Sequence, residues 1–138
     1  MTEPTALPPT LVNLIPALAR ALGALDDDHH LIIDIVDSPR YVQFATFGSN
    51  LRAETIGQRY LEACGDRHDD EDLSWLRAHG WDDPDQGGNH FHEWTPSQPL
   101  AAATAAVVTL HTVHGVTSAR QLAFSSGDPA VLDLLVLT

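Results

Sequence analysis

Residues 31–56, LIIDIVDSPRYVQFATFGSNLRAETI, decide the fold. Leu31, Ile33 and Ile35 alternate with Ile32, Asp34 and Val36, the period-two pattern of a strand with one buried face. Asp37-Ser38-Pro39-Arg40 interrupts it, because proline fixes φ and Asp and Ser side chains bond back to the local backbone. Tyr41 to Phe47, rich in aromatic and β-branched residues, is a second strand. Gly48-Ser49-Asn50 turns the chain again, and Leu51 to Ile56 alternates as a third strand. Three consecutive strands joined by short turns form an antiparallel meander.

Upstream, Leu11, Leu14, Ile15, Leu18, Leu22 and Leu25 recur at helical spacing. Asn13 is the expected cap, which places Pro16 in the first turn, where a missing N–H costs nothing. Asp26, Asp27 and Asp28 oppose a helix dipole and belong beyond the last turn. Residues 1–9 carry three prolines and read as a flexible lead-in, leaving 10–138 as one domain.

Downstream, 57–68 lack a clear period, and Tyr60 and Leu61 are expected to anchor a turn onto the core. Asp69 or Asp70 caps a short helix through Leu73, Leu76 and Ala78, ended by Gly80 in a left-handed cap. Asp82 to Gly88 is a polar loop. His90 to Trp94 is a fourth strand, with His90, His92 and Trp94 on one side and Phe91 and Glu93 on the other. Thr95, Pro96 and Gln98 make a capping box for an alanine-rich helix that runs to His114 and stops at Gly115. Its apolar face is Leu100, Ala103, Val107, Leu110 and His114. Residues 117–138 are unassigned, except that Val131 to Leu137 suits a short helix or an edge strand. The class is α+β: an antiparallel sheet packed against N- and C-terminal helices.

At 138 residues and 43% hydrophobic the chain can bury one core. Seven arginines, no lysine and 19 acidic residues give a net charge of −12. Such a surface repels phosphate backbones and anionic headgroups, so neither nucleic acid nor membrane is an expected partner. No apolar run approaches the ~20 residues of a membrane span. The first arginine is Arg20, so no secretory leader is expected, and Cys64 alone can form neither an intrachain disulfide nor a Cys-based zinc site. A cytoplasmic protein with a buried thiol is the expectation.

Catalytic motifs are sparse. His90 and His92 on one strand face, or His111 and His114 on a helix, could each offer two imidazoles to a metal, but HEXXH is absent and no third ligand has a fixed spacing. In a calcium-loop register starting at Asp83, positions five and twelve are Gly87 and Trp94, which are not ligands. No serine sits in a nucleophile elbow, Cys64 and His68 have no recognised catalytic spacing, and Gly87-Gly88 lack the lysine of a phosphate loop. Paired carboxylates such as Asp69-Asp70 read as a solvated face. No cofactor and no enzymatic activity are expected. Trp75, Trp81 and Trp94 fit either core packing or a groove for a partner's apolar side chains.

Tyr41-Val42-Gln43-Phe44, Leu51-Arg52-Ala53-Glu54 and Tyr60-Leu61 resemble strand motifs of the actinobacterial peptide-binding chaperone domains grouped with YopN/CesT-type secretion chaperones and YbjN. Leu76, Gly80-Trp81 and Pro84 are similar to that family's L-x-x-x-G-W…P element, and Asn89 to Trp94 and Thr109 to Val116 also match. The resemblance covers residues 11–116. It implies a non-enzymatic bacterial protein, homodimeric, that binds an extended peptide segment of a client, with Tyr41, Gln43, Phe44, Tyr60, Trp81 and Trp94 as candidate contacts. An acidic immunity or adaptor protein bound to one basic partner is the first alternative. A metal-dependent enzyme built on the histidines is the second.

Overall fold

The computed structural model describes residues 7–47, 50–84 and 88–136. The three expected strands are present as β1 (His30–Ile35), β2 (Tyr41–Phe47) and β3 (Asn50–Thr55), paired antiparallel with Ile33 opposite Val42 and Phe44 opposite Ala53. The Gly48-Ser49 part of the second turn lies outside the described residues. The fourth strand, β4 (His90–Trp94), pairs with β3, and a fifth, β5 (Leu122–Ser126), pairs with β1. The order is β4-β3-β2-β1-β5, antiparallel throughout. Leu31, Ile33, Val42, Phe44, Leu51 and Ala53 fill one face, covered by helices. Tyr41, Gln43, Arg52, Glu54, Phe91 and Glu93 occupy the other, which no element covers among the described residues.

Helix α1 (Pro9–Gly23) buries Leu11, Leu14, Leu18 and Leu22. Asn13 is not its cap. Pro9 opens the helix instead, leaving Pro16 inside it on the exposed side. Burial of Leu11 and Leu14 rewards helix upstream of the proline and outweighs the bond it removes. The three aspartates follow the last turn, as the dipole requires.

Residues 57–69 differ from expectation. They hold a short helix, α2 (Gln58–Ala63), in which Leu61 is buried but Tyr60 is 49% exposed, so of that pair only Leu61 is an anchor. Cys64, at its C-terminal end, is exposed and not buried, because the chain there turns outward through Gly65. Helix α3 (Asp70–Ala78) is capped by Asp69, which accepts from the Asp72 N–H at 2.7 Å. Its far end explains the Leu-x-x-x-Gly-Trp element. Gly80 is left-handed (φ 91°), the Trp81 N–H reaches Leu76 O at 3.0 Å, and both apolar side chains enter the core. This is a Schellman cap with its hydrophobic contact.

Helix α4 (Pro99–Thr112) starts three residues later than the capping-box reading. A helix capped at Thr95 would need an N–H at position 99, and proline has none. The Gln98 side chain still accepts from the Thr95 N–H at 3.2 Å, half of the expected box. Ala102, Ala103, Ala106, Val107, Thr109 and Leu110 are buried, many against α1, where Ala17 and Ala21 allow close approach. Leu100 is 59% exposed, contrary to its expected place on the core face. The unassigned tail forms a 3-10 turn (Ala119–Gln121) capped by Ser118, then β5, then α5 (Pro129–Asp133).

Candidate functional site

The Schellman cap at Gly80 sets Trp81 against α4, where its Nε1–H donates to Thr109 Oγ1 at 3.1 Å. Thr109 in turn donates to Ala105 O at 2.7 Å, so the indole is fixed by a satisfied buried chain. Between α3 and α4 this leaves a groove of about 500 Å³, walled by Trp75, His79, Trp81, Leu100, Ala105 and Val108. Small residues on the outer face of α4 make it concave.

Its aromatic side is built of stacked rings. Trp75 and His79, one helical turn apart, stack with ring centroids 4.0 Å apart, and the His79 Nδ1–H donates to Trp75 O at 2.8 Å. Trp81 meets His92 edge-on at 5.7 Å, and His92 stacks on Trp94 at 3.9 Å. Gly80 makes room for that stack: a Cβ there would stand 2.6 Å from His92 Nε2. Burial pushes the His92 imidazole below its ordinary value, which keeps it neutral at pH 7. The first turn of α3 carries Asp70, Glu71 and Asp72, and the exposed Asp82 and Asp83 follow Trp81 in the chain.

Of the six candidate contacts, Trp81 and Trp94 come together through His92. Tyr41 and Gln43 lie on the opposite, open face. There the Tyr41 hydroxyl donates to Asn89 Oδ1 at 2.9 Å, and Asn89 Nδ2 donates to Glu54 Oε1 at 3.0 Å. Desolvation pushes the Tyr41 phenol above its usual range. Arg52 donates to Glu54 and Glu93 and lies 4.3 Å over the Phe91 ring, so the charges of this face are largely paired internally. Phe44 is fully enclosed in the core, and Tyr60 stands apart on α2.

Neither histidine pair aims both of its rings at one centre. His111 Nδ1 binds Val116 O, His114 binds Thr55 and Arg40, and His92 stacks on Trp94 with Trp81 at its edge. Among the described residues, a trio with ligand atoms mutually within 4.8 Å is Asp26, His29 and Asp128, which contains none of them. Of the groove residues only Trp81 is among the candidates; the large side chains Trp75, His79 and Leu100 are not. The i,i+4 spacing of Trp75 and His79 was the available signal. Leu100 was hidden by the misplaced helix start.

No helix among the described residues is long and apolar enough to cross a membrane. Neither curated proteins nor solved structures give a match. A family model does match, over residues 15–128: TY-Chap3, described as T3SS (YopN, CesT) and YbjN peptide-binding chaperone 3.

Proposed function

The chain belongs to this family of peptide-binding chaperones, and from that premise we propose that it acts by binding, holding a client segment by its apolar side chains in the α3–α4 groove. The observation that carries this is the groove itself. Fixed tryptophans form one wall, and a leucine left 59% exposed stands at the other. Preformed apolar concavity with aromatic anchors is what a peptide's side chains need, since little ordering remains to be done on the receptor. The acidic first turn of α3 and the net charge of −12 favour a client segment flanked by basic residues. A homodimer in a bacterial cytoplasm belongs to the same proposal and rests on the family resemblance. Sedimentation at micromolar concentration tests the dimer.

The test begins with affinity capture from the host lysate, followed by overlapping peptides from the recovered proteins and fluorescence anisotropy with the full chain. Leu100→Asp and Trp75→Ala are expected to weaken the best peptide about tenfold or more, with circular dichroism unchanged. Tyr41→Phe, on the open face, is expected to leave affinity unchanged. Loss of binding on Tyr41→Ala with none on the groove variants would move the site to the open face. A single basic protein held one-to-one, with no binding by its isolated peptides, would favour the immunity reading that the acidic surface also suits.

A further inference from the structure

Where β2 begins and β3 ends, three imidazoles meet. His68 comes from the loop after α2, His90 opens β4 and His114 follows α4. The His68 ring centroid lies 6.0 Å from that of His90 and 5.8 Å from that of His114. His68 is fully buried and His90 is 2% exposed.

Their hydrogen bonds set the tautomers. The Thr55 hydroxyl donates to Tyr41 O at 2.9 Å, so its 2.7 Å contact with His114 Nε2 makes that nitrogen the donor. His114 Nδ1 then accepts from Arg40, 3.3 Å away, and has no free lone pair to offer a proton. His68 Nε2 lies 2.8 Å from Ile56 O and can only donate to it, which puts the lone pair on Nδ1. That Nδ1 and both ring nitrogens of His90 are buried without a hydrogen-bond partner.

An added proton would find little compensation. Arg40, from the start of β2, is itself a cation, and it occupies both carboxylate oxygens of Asp66. Asp72 on α3 faces His68, but burial pushes its own carboxyl up. On the His90 side, Asp83 is paired with Arg77 at 3.0 Å, the Asp82 carboxylate is exposed, and the Asp82 backbone favours the charged ring less than burial opposes it. Desolvation therefore holds both His68 and His90 below the usual imidazole range.

The segment over the cluster is held at a few points: the Arg40 bonds to Asp66 and Arg67 O, the Gly57 N–H on Asn89 Oδ1, and the contacts of Gln58 and Leu61. Gln58 clasps the His68 backbone, accepting from its N–H at 2.6 Å and donating to its carbonyl at 2.9 Å, while Leu61 is the buried anchor of α2. We propose that His68 and His90 form an acid-sensitive latch, which closes residues 57–69 over the sheet end when neutral and releases them when protonated. Release carries His68 into water and uncovers His90, leaving the β1–β2–β3 ladder paired. An imidazole that protonates only in the open state, at about pH 6.5, multiplies the opening constant about tenfold at pH 5.5, and two do so about a hundredfold.

Hydrogen exchange of the full chain at pH 7.5 and 5.5, corrected for intrinsic rates, reads this directly. Residues 57–69 are expected to lose protection by about tenfold to a hundredfold while β1 and β2 keep theirs. His68→Asn and His90→Asn are each expected to reduce the response about tenfold. Should either variant not fold, imidazole proton NMR of the natural chain is the second readout, with both rings expected to titrate well below pH 6.5. Equal protection at the two pH values, loss spread evenly over the sheet, a full response in both variants, or normal titration of both rings would each overturn the latch.

Discussion

Arg40 shows how one side chain can join parts of the chain that are distant in sequence. Its guanidinium donates to both Asp66 oxygens, to Arg67 O and to Val113 O, and supplies the proton that His114 Nδ1 accepts. The start of β2, the loop after α2 and the end of α4 are thus joined in one fork. Asp66 is correspondingly held below the usual carboxylate range, with the Arg40 bond as the main cause. The side chain is only 13% exposed, and removing it strands the Val113 carbonyl and His114 Nδ1, while Asp66, 39% exposed, is left to water. Arg40→Met is expected to cost about 1–3 kcal/mol in urea unfolding, mostly from the stranded carbonyl and imidazole. Arg40→Lys should recover less than half of that, since an ammonium cannot reproduce the planar fork. Nothing in the sequence announced this role: Arg40 reads as the last residue of a turn, and its partners lie 26 to 74 positions away.

Helix α1 carries a defect that its own burial tolerates. Pro16 sits in the second turn on the exposed side, and the Val12 carbonyl has no N–H to receive there. Pro16→Ala restores that bond without touching the core, and is expected to stabilise the chain by about 1–3 kcal/mol, read as a rise in the thermal midpoint. At this scale sequence and structure agree where the pattern is long and one face is buried. The meander, β4 with its sidedness, the Asp69 cap and the Gly80 stop all follow from period and cap chemistry. They part where two local rules compete. Pro9 and Leu11 override the Asn13 cap, and Pro99 overrides the capping box at Thr95. The strand β5 has only Leu122 buried and finds its place by pairing with β1, a long-range choice that five residues cannot encode alone. The groove was half legible. The tryptophan cluster pointed to it, but its other wall depends on how α4 lies against α3.

Taken as one molecule, the chain gathers its ionisable groups so that stability has a plateau. His68, His90, His92 and His114 are kept neutral by burial, His114 most of all, at about 3. In the unfolded chain these imidazoles protonate near pH 6.5. Above that value neither state binds the proton, and their contribution to folding is complete. As pH falls below it the unfolded state takes up protons that the folded state refuses, so stability drops steadily toward the folded pKa values. Asp66 adds a second loss at lower pH, since a depressed carboxyl stabilises only above its unfolded value of about 3.8 and weakens as it protonates. Tyr41, with its phenol pushed up, closes the plateau on the alkaline side, where the unfolded chain ionises first, from about pH 10. Protonation also relieves the repulsion behind the net charge of −12, an opposing trend that salt screens over about 8 Å at 0.15 M. Urea unfolding in 0.15–0.5 M salt is therefore expected to give a flat midpoint from about pH 7 to 9.5 and a marked fall by pH 5.5. The fall should shrink in a His68→Asn, His90→Asn double variant, whereas a midpoint that rises toward pH 5.5 would show that charge repulsion, not imidazole burial, governs the fold.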